Sequence, residues 1–223
     1  MMNEYLLKKT TGIVVLEKIY KSIFPNKCLF CQRALDDPSK ICCENCETST
    51  GYAHNLGDNI HVAYDYAEGV RHAIFRFKYE GKRMLARPMA EAIFKCFGAI
   101  ETDLLLCVPS HESRVKERGY NQAALLATEL SLLMGLSAYD GMIRVKDTAK
   151  QFALNPEERV VNVADAFALK ENFCVEGKDV LLVDDIFTTG ATVEECAKVL
   201  TDAHAKSVRI IAFARANLKG SGL

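Results

Sequence analysis

The sequence predicts an α/β fold: a mostly parallel, twisted sheet flanked by helices, with a small cysteine-rich module ahead of it. Three observations predict this. Continuous apolar runs at Leu104 to Val108, Val180 to Val183 and Val208 to Phe213 suit strands buried on both faces and are too short for confident helices. Segments of helical periodicity alternate with those runs, the pattern of a parallel sheet whose ligands sit outside the carboxyl ends of its strands. Residues 28–58, by contrast, are rich in Cys, Asp, Asn and Gly and show no period, as expected of a loop-rich module that needs a staple.

A chain of 223 residues that is 49% hydrophobic can bury one sizeable core plus an appendage. Its 28 Lys and Arg balance 29 Asp and Glu, giving a formal charge of −1, so no global basic field holds nucleic acid and any such contact must be local. Lys8 and Lys9 precede only the short apolar run Ile13 to Leu16, which does not read as a signal peptide. No run approaches the roughly 18 to 20 apolar residues that cross a bilayer. Nine cysteines are therefore expected to be reduced, in a cytoplasmic protein without membrane insertion.

Taken along the chain, Ile13, Leu16, Ile19, Tyr20 and Ile23 recur at helical spacing until Pro25, which predicts an N-terminal helix within residues 1–27. The cysteine module follows over 28–58. Residues 59–223 form the main domain. There Val62, Tyr64 and Tyr66 alternate with polar or small neighbours, a strand, and helical pattern runs on to about Phe97 with a break near Gly81. Leu104 to Val108 is stopped by Pro109, Ser110 to Gly119 reads as a charged loop, and Leu125, Leu126, Leu130 and Leu133 mark a helix over Asn121 to Met134. A helix over Val193 to His204 lies between the last two strands.

The stretch Val183-Asp184-Asp185-Ile-Phe-Thr188-Thr189-Gly190-Ala191-Thr192 carries the chemistry. Four apolar residues, Val180 to Val183, deliver two carboxylates to a strand end, and a loop of small residues then opens a helix. Backbone amides of that loop and of the helix's first turn can donate to a phosphate, and Gly190 allows close approach. The hydroxyls of Thr188, Thr189 and Thr192 add donors. Asp184 and Asp185 are poor neighbours for a phosphate, so they are expected to face a sugar, accepting from vicinal hydroxyls near a magnesium ion. A plainer possibility is a capping box between Thr192 and Glu195, which does not by itself call for paired Asp residues.

This stretch resembles the 5-phosphoribosyl-1-pyrophosphate (PRPP) motif of type I phosphoribosyltransferases. The resemblance implies that Asp184 and Asp185 hold the ribose hydroxyls and that Thr188 to Thr192, Ala191 included, hold the 5-phosphate. Purine-salvage members of that class carry an Asp where this chain has Thr188, which disfavours hypoxanthine or guanine as acceptor.

Behind the other buried strand lies Val108-Pro109-Ser110-His111-Glu-Ser-Arg114-Val-Lys116-Glu-Arg118-Gly119-Tyr120-Asn121-Gln122. Its three cations are expected to face the same crevice, where mobile positive charge would stabilise a departing pyrophosphate. Such runs are otherwise solvated surface. The wording of the segment, with Leu126-Ala127 after it, is similar to that of the ComF family of competence-associated phosphoribosyltransferase-like proteins. Arg144, Asp147-Thr148, Gln151, Leu154, Arg159, Asn162-Val163 and Ala166-Phe167 follow in that family's order. Ser110 and Tyr120 depart from it mildly, since an apolar residue and Phe are commoner there. Membership implies PRPP binding, with turnover or as a non-catalytic sensor, and a link to DNA uptake; His111, Arg114 and Arg118 are the candidate catalytic residues. His111 either meets pyrophosphate or shuttles a proton, or only caps the loop. Lys78 also matches a family position, although a lysine before Gly81 reads most simply as a favourable charge at a helix C-terminus.

The head contains Cys28-Leu-Phe-Cys31 and Cys43-Glu-Asn-Cys46, two Cys-x-x-Cys knuckles separated by eleven residues. Two such pairs suit tetrahedral zinc, in a closed, structural site, with a redox pair or an iron–sulfur cluster as the other possibilities. Spacing favours Cys43 over its neighbour Cys42, and His54 could substitute for one ligand. The ribbon's partner is open; single-stranded nucleic acid stacking on Phe24, Phe30 or Tyr52 is one option, packing of the small core the other. Cys96, Cys107, Cys174 and Cys196 lie in apolar settings and are expected to act as small core residues.

Overall fold

The computed structural model describes residues 26–37, 39–50, 52–146 and 163–216. The N-terminal helix and the family matches from Asp147 to Asn162 lie outside them. The chain divides into two compact units at Ser49–Thr50.

In the first unit the cysteine loops fold around Cys28, Leu29, Phe30 and Leu35, all buried. An isolated antiparallel bridge joins Lys27 to Ala34, and the short helix α1 (Glu44–Ser49) follows the second knuckle.

The second unit is built on a six-stranded sheet. In chain order its elements are β1 (Tyr52–Asn55), β2 (Ile60–Asp65), α2 (Glu68–Tyr79), a 3₁₀ turn (Arg83–Leu85), α3 (Ala86–Phe97), β3 (Leu104–Cys107), α4 (Glu112–Arg118), α5 (Gln122–Met134), β4 (Ala138–Tyr139), β5 (Met142–Arg144), β6 (Phe167–Leu169), β7 (Asp179–Phe187), α6 (Ala191–Asp202) and β8 (Ser207–Arg215). Strand order across the sheet is β1-β2-β8-β7-β3-β4, while β5 and β6 pair as a separate antiparallel ribbon. β1 runs antiparallel to β2 and every other ladder in the large sheet is parallel. The stretch around Tyr52–Asn55, read above with the cysteine module, is thus an edge strand of the larger unit.

Burial follows the sequence pattern. Val180, Leu181, Leu182 and Val183 are fully buried, as a strand covered on both faces must be. Helices α3 and α5 pack on each other, α3 against β2 and β8, α5 against β3 and β7, while α6 packs against β6, β7 and β8. The mid-helix run Leu126, Ala127, Leu130 is buried between sheet and helix.

The order of connections places the site. From β3 the chain moves outward to β4, then returns to lay β7 on the other side of β3 and continues away to β8. The segments leaving the carboxyl ends of β3 and β7 therefore diverge, opening a crevice at the point where strand order reverses. The carboxylates and the cation-rich segment both lie on these exits.

Candidate functional site

β7 is longer than its apolar run suggests. It pairs with β3 only as far as Cys107↔Val183, because Pro109 ends β3, but it pairs with β8 on to Phe187↔Arg215. Asp184 and Asp185 therefore stand on a strand with a ladder on one side only, beyond the end of β3. A cleft opens there, lined by Asp184, Ile186, Phe187, Thr188, Gly190, Thr192 and Val193. Asp184 Oδ1 accepts from the Asp185 amide at 2.8 Å, and burial, then the charge of Asp185, raises the Asp184 carboxyl well above the usual carboxylate range.

Gly190 turns the loop into α6. It is the helix N-cap, with φ +88° and no side-chain cap bond, so a capping box between Thr192 and Glu195, the plainer possibility, does not form. Glu195 Oε1 instead accepts from the Asp165 amide at 2.8 Å. A Cβ at Gly190 would lie 2.6 Å from Glu194 Oε1, and the left-handed φ disfavours any side chain. Gly190→Ala is expected to lose about 1–2 kcal/mol of stability, a fall in Tm of several degrees in a thermal melt. An unchanged Tm would show that the turn is not held in this conformation.

Lys78, to which sequence periodicity assigns only a helix-end role, pairs with Asp185. Its Nζ lies 2.7 Å from Asp185 Oδ2, and the two side chains are only 19% and 9% exposed. Its charge also lowers the Asp184 carboxyl, against the larger upward effects. The pair is far apart in sequence, and the one sequence signal for it is the resemblance at Phe77-Lys78-Tyr79. Next to it, the Tyr79 ring lies under the Arg118 guanidinium at 5.2 Å.

The segment after β3 is partly helical rather than a loop: α4 spans Glu112–Arg118. His111 is its N-cap, with Nδ1 3.3 Å from the Ser113 amide and 2.9 Å from Ser113 Oγ. Of the roles open to it, the structure displays the cap. Gly119, with φ +82°, ends the helix. Arg83 donates to the Gly119 carbonyl at 2.7 Å and lies over the Tyr120 ring, and Tyr120 donates its hydroxyl to the Phe77 carbonyl. Asn121 caps α5 while its Nδ2 holds the Val108 carbonyl at 3.1 Å. Arg118 thus faces α2 at the Tyr79 ring, with Nη1 3.3 Å from Gln122 Oε1. Lys116 pairs with Glu112 on the exposed face of α4.

In the first unit the four Sγ atoms of Cys28, Cys31, Cys43 and Cys46 lie within 4.8 Å of one another, with Cys31 and Cys43 3.7 Å apart. A tetrahedral site with bonds of about 2.3 Å places its sulfurs about 3.8 Å apart, so the cluster is compatible with structural zinc. Cys43, not Cys42, joins it. Burial opposes ionisation of Cys28, yet the amides of Cys31, Cys43 and Phe30 bring its thiol down to about 7. Phe30 is buried in the small core and offers no face for stacking; Phe24 and the side chains of Tyr52 and His54 lie outside the described residues. Among the other cysteines Cys107 and Cys196 are buried as expected, Cys96 is half-buried, and Cys174 is exposed, contrary to its apolar sequence context.

Residues 115–221 match the phosphoribosyl transferase domain. Competence protein F of Haemophilus influenzae is 29% identical over 71% of this chain and 73% of its own length. Competence protein ComFC of Bacillus subtilis is 30% identical over 62% of this chain, which spans 56% of that relative. Among solved structures, glutamine PRPP amidotransferase of B. subtilis is similar over 59% of this chain and about a quarter of its own length (26%), at 22% identity and TM-score 0.39. The domain match and the parallel sheet bear out the type I phosphoribosyltransferase class expected from the motif, and the competence relatives bear out the resemblance to the ComF family. No helix among the described residues is long and apolar enough to cross a membrane.

Proposed function

We propose that this protein binds PRPP with magnesium and transfers or recognises its phosphoribosyl group with release of pyrophosphate, in a cytoplasmic role linked to DNA uptake. One observation carries the reading: paired carboxylates and the Thr188–Thr192 turn occupy the exit of β7 at the sheet's reversal point, within a segment matching the phosphoribosyl transferase domain. An Asp184 carboxylate disfavoured by burial is a group that a cation would stabilise, so the residues fit the metal complex.

In this reading Asp184 and Asp185 accept the ribose hydroxyls, and the amides and hydroxyls of Thr188, Thr189, Gly190, Ala191 and Thr192 bind the 5-phosphate. Magnesium, bound together with the ligand, neutralises phosphate charge. Arg114 and Arg118 face the pyrophosphate from the opposite exit, while His111 fixes the start of their helix. No strong general base is called for, because position and charge suffice to drive displacement at an anomeric carbon. Zinc bound by Cys28, Cys31, Cys43 and Cys46 is structural. In isothermal titration, magnesium with PRPP is expected to give saturable heat that the double variant Asp184→Asn, Asp185→Asn abolishes; absence of heat from the unaltered protein refutes the reading.

A second reading is a non-catalytic PRPP sensor or single-stranded-DNA-binding competence factor. Phe75 and Tyr79 expose their rings in a pair 5.3 Å apart beside Arg118, a surface on which bases could stack. Gel shifts with single-stranded DNA over a salt series separate the two, since phosphate contacts impose a steep salt slope. Pyrophosphate release from PRPP with candidate amines, bases or DNA identifies turnover and the acceptor.

A further inference from the structure

Twin carboxylates at a strand end would ordinarily attract a free divalent cation. Here a cation is already built in. Lys78 reaches Asp185 from the last turn of α2, with Nζ 2.7 Å from Oδ2 and both side chains largely withdrawn from water. Its charge reaches Asp184 as well, which it lowers. Tyr79, the next residue, packs its ring beneath Arg118, and Tyr120 donates to the carbonyl of Phe77, the residue before. The last turn of α2 is thus anchored on both sides, so Lys78 does not swing freely away from its carboxylate.

We infer that Lys78 is a resident counter-cation that closes the Asp184–Asp185 pair to free divalent metal, so that the site admits metal only as a complex with a polyphosphorylated sugar. The inference rests on the PRPP reading for the identity of that complex. The Lys78 ammonium offsets negative charge at the pair, and Asp185 Oδ2 is already occupied by it. Magnesium gives up its water reluctantly and is held in such sites by one or two carboxylates together with substrate phosphates. Asp184 alone does not hold it; Asp184 plus the oxygens of a bound polyphosphate does. Lys78 therefore acts as a positioning and selectivity residue, holding the Asp185 carboxyl in place until the sugar arrives and denying the pair to bare cations.

Manganese(II) titration without PRPP, followed by electron paramagnetic resonance, tests this on the full chain. Lys78→Met is expected to bind manganese at least tenfold more tightly than the unaltered protein, Lys78→Arg to behave like the unaltered protein, and Lys78→Met with Asp185→Asn to lose the gain. Affinity for magnesium-bound PRPP is expected to fall about tenfold in Lys78→Met and to be restored in Lys78→Arg. A merely structural ion pair would alter stability and leave manganese affinity where it was. Manganese binding within twofold of the unaltered protein in folded Lys78→Met, or in Lys78→Gln should the Met variant not fold, overturns the inference. If the unaltered protein ignores PRPP while Lys78→Met still gains manganese, the PRPP reading falls and the counter-cation role stands.

Discussion

Cys43→Ser is expected to strip the metal from the small unit and unfold it, while Cys42→Ser leaves both metal content and fold in place. The two cysteines are neighbours in sequence, yet only Cys43 brings its Sγ into the cluster with Cys28, Cys31 and Cys46. Among the described residues the small unit's apolar core amounts to little more than Cys28, Leu29, Phe30, Leu35 and Cys42. So small a core supplies only a few kcal/mol at best, whereas structural zinc contributes on the order of 10 kcal/mol or more in comparable modules. Loss of one of four thiolates therefore removes most of what holds this unit together. Colorimetric zinc release would return one equivalent per chain for the unaltered protein and for Cys42→Ser, and none for Cys43→Ser. Limited proteolysis would cut Cys43→Ser before Ser49 while the second unit stays intact, because the two units are compact separately. Equal zinc content in the two serine variants would sink the four-thiolate assignment.

What the sequence made legible, and what it hid, divides along a physical line. Val180 to Val183 and Leu104 to Val108 could be read as buried strands because burial on both faces leaves a continuous apolar run. The knuckles were legible because metal geometry fixes their spacing. Short pieces were not: β4 has two residues and β5 and β6 three each, too few for any period to register. Helix α4 was hidden for a different reason. Its residues Glu112 to Arg118 bury no side chain, so no apolar stripe marks it. Its His111 cap and Gly119 stop were the available signals. The Thr192–Glu195 box, the plainer possibility at this turn, does not form because β7 extends to Phe187 and hands the N-cap to Gly190, which local spacing cannot see. Lys78 shows the same limit at longer range. Nothing local distinguishes a lysine that caps a helix end from one that reaches across the fold to Asp185.

Asp184→Asn is expected to stabilise the ligand-free protein at neutral and alkaline pH while removing its response to PRPP. The carboxyl of Asp184 is raised well above 3.8, first by burial and then by Asp185. A raised carboxyl binds protons more tightly folded than unfolded, so stability falls as pH climbs from the unfolded value through the folded one, and stays low beyond it. Asparagine carries no such penalty and keeps a carbonyl Oδ1 to accept from the Asp185 amide, now 2.8 Å away. The Tm advantage of the variant should therefore vanish near pH 4, grow as pH rises, and level off above the raised value. Saturating magnesium and PRPP should reverse the ranking. Ligand at about a hundred times its Kd adds about 2.7 kcal/mol to a protein that binds it, and the variant, lacking the carboxylate proposed to meet the sugar, should gain almost nothing. A functional carboxylate held against its own desolvation has this signature, instability alone and stability in company. An Asn variant no more stable than the unaltered protein at pH 8 would mean that Asp184 is already compensated in the ligand-free fold, and the argument that it awaits a cation would fail with it.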